Sequence, residues 1–245
     1  MKKTWILSSL LSLIFIWYLL YLIVDHHLIL PSPLDVLFTL WRLAGKGSSY
    51  VIIGLSLFRL ILSVLASAIT GIILGTLAGL NQKASWIMHP YVTILRTIPV
   101  ISIVVILLIV LGFSITPYVI TFFMVFPIIY QAAEQGIKNI DQSYIDVYKL
   151  EAQDIKLSFR YLYYPLMRPY LLLSFLQSFG LGLKVLVMAE YLAQTKNSIG
   201  DALYMAKTNL DYASVFAWTI ILILLSLCLE LWIGYYRRKS LMDEI

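Results

Sequence analysis

Long uncharged or nearly uncharged stretches alternate with short polar ones along this chain. Residues 4–24, 50–80, 97–133, 169–192 and 213–236 are dominated by apolar side chains. A helix needs about 20 apolar residues to cross a bilayer. The stretch 97–133 holds no charged residue and is too long for one crossing. It divides at Gly112-Phe113-Ser114-Ile115-Thr116-Pro117, where Gly and Pro break regular structure. The pattern therefore predicts six transmembrane helices in an all-α, polytopic membrane protein. The third span begins near His89-Pro90 and carries Arg96 and Pro99, and the fourth ends near Gln131 with a kink at Pro127.

Composition agrees and excludes other classes. Apolar residues make up 61% of the 245 positions, charged residues only 13%, and the mean hydropathy is +0.88. A soluble domain carries about 25% charged residues. The lone Cys228 excludes an internal disulfide framework. His26, His27 and His89 lack any spacing suited to a metal, so no metal site is expected. The net charge of +5 shows no basic stripe for nucleic acid. It reads as the cationic bias of cytoplasmic segments.

Met1-Lys2-Lys3 precedes the first apolar run, which is longer than a secretory signal core and lacks a small-residue cleavage site. An uncleaved, peripheral first helix over 4–24 is expected. After Pro31-Ser32-Pro33, the spacing of Leu34, Leu37, Leu40 and Trp41 predicts a short interfacial helix. The loop Gly45-Lys46-Gly47-Ser48-Ser49 is not a phosphate loop, because Gly47 follows Lys46 where that motif needs Ser or Thr. Within 50–80, Ser63, Ser67, Gly71, Gly75 and Gly79 recur every four residues and form one smooth helical ridge. Such ridges let membrane helices approach closely. The ridge suits internal packing, a sliding face or a dimer face.

Residues 134–168 are the one extended polar segment. Within it Tyr144, Tyr148, Ile155, Phe159 and Leu162 fall at helical separations. An apolar stripe on a water-exposed element is expected to dock on something. With six spans and a cytoplasmic N-terminus, inner segments hold Lys2, Lys3, Lys83, Lys138, Lys149, Lys156, Arg160, Arg168, Arg237, Arg238 and Lys239. Outer segments hold Arg42, Lys46, Lys196 and Lys207. Both termini are thus expected in the cytoplasm.

The run from Asp141 through Tyr148, then Glu151-Ala152, Leu162-Tyr163-Tyr164-Pro165 and Pro169-Tyr170, resembles the EAA loop of permease subunits of binding-protein-dependent ABC importers. Placing Pro165 on the final Pro of that loop sets Asp146 on its Glu and Ala152 on its Gly. Asp146-Val147-Tyr148 replaces Glu-Ala-Ala, and a turn needing positive φ is strained at Ala152. Leu30-Pro31-Ser32-Pro33, Arg96-Thr97-Ile98-Pro99 and the stretch from Gly182 to Ala189-Glu190 also resemble the family, most closely its nitrate, sulfonate and taurine branch, which also holds importers of vitamin precursors. The resemblance implies one permease domain over 1–245, with a five-helix core from about residue 50, in the cell (inner) membrane. It implies that Tyr144, Asp146, Val147, Tyr148, Ala152 and Pro165 couple the chain to an ATPase through a short cytoplasmic helix. Implied partners are two ABC ATPase subunits, an extracytoplasmic binding protein or lipoprotein, membrane lipid and a second permease copy, identical or not. ATP and Mg are implied on the ATPase, with no cofactor on this chain, which is then no enzyme.

Charges within the spans are costly, about 2.5–3.5 kcal/mol for a central Arg or Lys, so they face the bundle or water. Arg59, Arg96, Pro99, Lys184 and Glu190 are the candidate translocation-path residues, with snorkelling open to Arg59 and Arg96. Lys184 and Glu190 lie six apart on one helix and point to different faces. Lys184 is expected to favour an anionic or polar solute; a structural pair with a carboxylate on another helix is the alternative. A secondary transporter or channel subunit is the rival class, favoured by inverted repeats, which the sequence does not display. A membrane enzyme would need a catalytic constellation that the spans lack.

Overall fold

The computed structural model describes residues 2–24, 30–141, 143, 144, 146 and 158–242. They form helices α1 (Lys2–Val24), α2 (Pro33–Ala44), α3 (Gly47–Leu80), α4 (Gln82–Thr97), α5 (Val100–Lys138), α6 (Tyr164–Ala193), α7 (Ile199–Thr208) and α8 (Tyr212–Met242). A π-helical turn, Phe159–Tyr163, leads into α6. Among the described residues there is no strand.

Four stretches are long and apolar enough to cross a membrane: Gly47–Leu80, Val100–Lys138, Phe159–Ala193 and Tyr212–Gly234. The second is not one rod. Gly112 has φ 76° and ψ −179°, a backbone state that an L side chain rarely adopts, and the helix breaks there. The arm after Gly112 runs antiparallel to α6, since Phe113 meets Thr195 at one end and Gly136 abuts Met167 at the other. The arm before Gly112 returns alongside, because Val104 and Ile120 share a buried cluster with Val185 and Ala189. A single rod would hold Val104 and Ile120 about 24 Å apart. The expected division of 97–133 thus lies at Gly112.

The expected interfacial helix is α2. Ser32 caps it reciprocally with Asp35, and Pro33 opens its first turn. Its buried face is Val36, Thr39 and Leu43 rather than the whole expected set. Leu34, Leu37 and Trp41 point outward with Phe38, while Leu40 packs on the core. Trp17 of α1 stacks on Phe216 of α8 with ring centroids 5.5 Å apart.

The small-residue ridge packs inside the chain. Ser63, Ser67, Gly71 and Gly75 are buried, and the half-buried Gly79 faces Ile137. A Cβ on Gly75 would fall on the Tyr130 backbone oxygen and 2.8 Å from the Ala133 Cβ; one on Gly79 would lie 2.8 Å from the Ile137 Cβ. The ridge therefore seats α3 against the second arm of α5. Around that seam Leu60, Val64, Val125, Ile129, Leu183, Leu186 and Trp218 form the main core.

Three expectations about the later chain are corrected. The fifth span starts at Tyr164 rather than 169, and both Pro165 and Pro169 lie within it. Pro165 cannot donate to residue 161 and its ring crowds that carbonyl, a conflict that the wider π turn relieves. Residues 197–200 are not simply a polar turn: Ser198 accepts from the Asp201 amide and starts α7. The aromatic stripe also splits. Phe159 packs on the bundle's own cluster with Ile137, Met167 and Leu171, and Leu162 is buried, whereas Tyr144 is exposed. Tyr148 and Ile155 lie outside the described residues.

Candidate functional site

Polar side chains gather at three levels of the bundle. At the end where α5 reverses, α3 presents Ser56 and Arg59 one helical turn apart. α6 presents Glu190, which is fully buried. The Arg59 guanidinium donates to Glu190 Oε1 at 3.0 Å and to the carbonyls of Lys196 at 3.3 Å and Asn197 at 3.4 Å. The Ser56 hydroxyl lies 2.9 Å from both Glu190 carboxylate oxygens and accepts from the Ile199 amide at 3.0 Å. The Gly200 amide donates to Glu190 Oε2 at 3.3 Å. The carboxylate thus sits at the N-terminus of α7, where free amides and the helix dipole favour negative charge. Gly200 allows this approach, since a Cβ there would fall on the Tyr191 backbone nitrogen and 2.5 Å from the Glu190 Cβ.

Two of the candidate path residues thus share one network. Glu190 is fully buried, takes donors from Ser56, Arg59 and Gly200, and ties α3, α6 and α7 to one another. Arg59 does not simply snorkel: it is the partner of Glu190, with its side chain 11% exposed. Its outer edge lines a cleft of about 780 Å³ with Ser114, Tyr118 and Gln194–Lys196.

At the middle level Arg96 meets the second arm of α5 and the first half of α6. It lines a cleft of about 310 Å³ with Gln131, Gln135, Tyr170, Ser174 and Gln177. Of this set, sequence reasoning named only Arg96 as a path residue. The missed signal was polar spacing inside apolar helices: Gln131 and Gln135 are four apart, and Tyr170, Ser174 and Gln177 follow at four and three. Pro99 is exposed at the break between α4 and α5 and does not line this cleft. Lys184 stands apart, in an apolar groove between α6 and α8 with Thr219, Leu222 and Ser226.

At the opposite end from Gly112, Glu134 accepts from the Ser85 hydroxyl and from Lys138 Nζ, both at 2.6 Å. The start of α4 is thereby pinned to the end of α5. Asp141 follows, exposed, and accepts from the Ser143 amide and hydroxyl at 2.9 Å. These bonds hold its carboxyl below the usual carboxylate range. A lowered folded value means the turn is favoured above the ordinary carboxylate pKa and is lost as pH falls through the lowered one. The protection of the Ser143 amide, its exchange rate relative to that of an unstructured chain at the same pH, should therefore fall on acidification, and in Asp141→Ala it should already be low at neutral pH. Equal protection in both proteins at every pH would refute the cap. Of the expected coupling residues, Tyr144 and Asp146 are exposed here and Pro165 opens α6. Val147, Tyr148 and Ala152 lie outside the described residues.

Comparison with known proteins agrees over most of the chain. The family described as "binding-protein-dependent transport system inner membrane component" matches residues 67–241. A putative aliphatic sulfonates transport permease protein of Bacillus subtilis is 25% identical over 198 residues, covering 79% of this chain and 71% of that protein. The taurine transport system permease protein of Escherichia coli is 24% identical over 218 residues, covering 86% and 79%. Among solved structures, a chain of the MetNI methionine ABC transporter in an inward-facing form superposes with a TM-score of 0.64 at 15% identity. It covers 78% of this chain and 96% of that one.

Proposed function

The chain belongs to the family of inner-membrane components of binding-protein-dependent transport systems, and on that premise we propose that it forms the path for a small polar or anionic solute in an ATP-driven importer. It is a multi-pass membrane permease subunit and not itself an enzyme. The match over residues 67–241 carries this reading. The names of the Bacillus and Escherichia relatives support a sulfonate- or taurine-like solute, with a vitamin precursor as the other reading.

In this reading an extracytoplasmic binding protein delivers the solute near the Gly112 end. Two copies of a separate ATPase, which hold ATP and Mg, dock near Asp146. A second permease copy completes the path, and both termini lie in the cytoplasm. The exposed Tyr144 and Asp146 support the docking site, offering an aromatic surface and a carboxylate for a partner Arg or Lys. ATP drives alternating access because it binds the two states of the assembly with different affinity.

The coupling is tested in the purified complex with Asp146→Lys and Tyr148→Asp. The ATPase should no longer co-purify, and ATP turnover should lose its response to solute. Retention of both would exclude this docking site.

A further inference from the structure

The cleft around Arg96 is polar in the wrong place for a lipid-facing surface. Gln177 lies about 20 Å of helix rise beyond Tyr164, and Gln131 about 10 Å before Lys138, so the cleft reaches from the polar end toward the bilayer centre. Arg96, Gln135 and Gln177 are exposed on the chain and Gln131 is half-buried. Within the described residues these four side chains make no hydrogen bond or ion pair. Hydrocarbon cannot satisfy a guanidinium and three amides, and each unmet group costs several kcal/mol. This face therefore meets water, and a volume of about 310 Å³ admits only a small solute.

The chemistry of the lining is one-sided. Arg96 brings a permanent cation with several donors, and the three Gln amides bring N–H groups that turn without changing charge. The Tyr170 hydroxyl accepts from Asn139 Nδ2 at 3.3 Å and keeps its own proton to donate. Among the described residues no Asp or Glu lines the cleft. Glu134, next to Gln135 in the chain, is occupied by Ser85 and Lys138. We propose that Arg96, Gln131, Gln135, Tyr170 and Gln177 form a water-lined relay site for a small oxyanion of the sulfonate type, on the half of the path away from Gly112. The proposal rests on the permease reading above.

Its test uses charged thiol reagents on the assembled complex in membrane vesicles of both orientations. The reporter is Gln177→Cys in a Cys228→Ala background. Its rates of modification by a sulfonate-bearing and a trimethylammonium-bearing methanethiosulfonate are compared. Each relative to its rate with a free thiol in solution, the anionic reagent should react faster than the cationic one. Arg96→Met should lower that rate ratio by roughly 250-fold, because a unit charge some 10 Å away at an effective dielectric near 20 changes each reagent's rate by about 16-fold, in opposite directions. Arg96→Lys should keep the preference and controls for misfolding. A reporter thiol that neither reagent reaches from either side, or a ratio that Arg96→Met leaves unchanged, would overturn the site. ATP-dependent uptake is measured separately in the parent complex. The charge preference without any ATP-driven uptake would uphold the site and refute the importer.

Discussion

Arg59→Met should lower the melting temperature of the detergent-solubilised chain by about 10 °C. Removing Arg59 leaves Glu190 fully buried with only the Ser56 hydroxyl and the Gly200 amide as donors. Taking one partner from a buried pair costs about 3–5 kcal/mol, because the other charge stays desolvated and uncompensated. In a chain of this length each kcal/mol moves the midpoint by roughly 2–4 °C. Glu190→Gln in the same background should recover much of the loss, since the amide keeps shape and acceptor oxygen without the charge. The guanidinium also holds two carbonyls just before α7, so the double variant should remain below the parent. Equal melting of Arg59→Met and the parent would show that the pair contributes nothing to the fold.

Gly75→Leu should abolish stable folding, whereas Gly54→Leu on the same helix should be silent. Gly75 is buried where α3 crosses the second arm of α5, and its missing Cβ is what lets the two backbones meet. A leucine there must push against the Tyr130 carbonyl and the Ala133 Cβ, neither of which can swing away. Overpacking typically costs about 1–3 kcal/mol and more when backbone must move. A Cβ on Gly54 would have no atom within 4 Å, and Gly54 is exposed. Gly71→Ala should be intermediate, since its nearest contacts are 3.1–3.2 Å. Size-exclusion profiles and melting curves of the three variants check the order. A Gly75→Leu protein that elutes and melts like Gly54→Leu would place the α3–α5 contact elsewhere.

Much of this fold was legible in the sequence because a bilayer leaves few choices. Backbone polar groups in hydrocarbon must be satisfied within the segment, so an apolar run long enough to cross is a helix. The same constraint exposed the break at Gly112 and the ridge from Ser63 to Gly79, features set by local backbone freedom and one-face periodicity. Charge placement was less legible. Arg59, Lys184 and Glu190 look alike in sequence, as single charges in apolar helices, yet Arg59 and Glu190 pair with each other while Lys184 stands apart in an apolar groove.

What sequence alone determined was the class of solvent, the helical content, the small-residue face and the resemblance carried by residues 141–165. What only the tertiary structure decided was which polar groups meet. Arg59 and Glu190 are 131 positions apart, and Arg96 reaches the cleft with Gln131 and Gln177 only once the arm of α5 folds back. Periodicity reports which face of one helix is polar. Pairing depends on how helices are set against one another, and that follows from close approach at Gly75 and Gly200, where two backbones meet without a side chain between them.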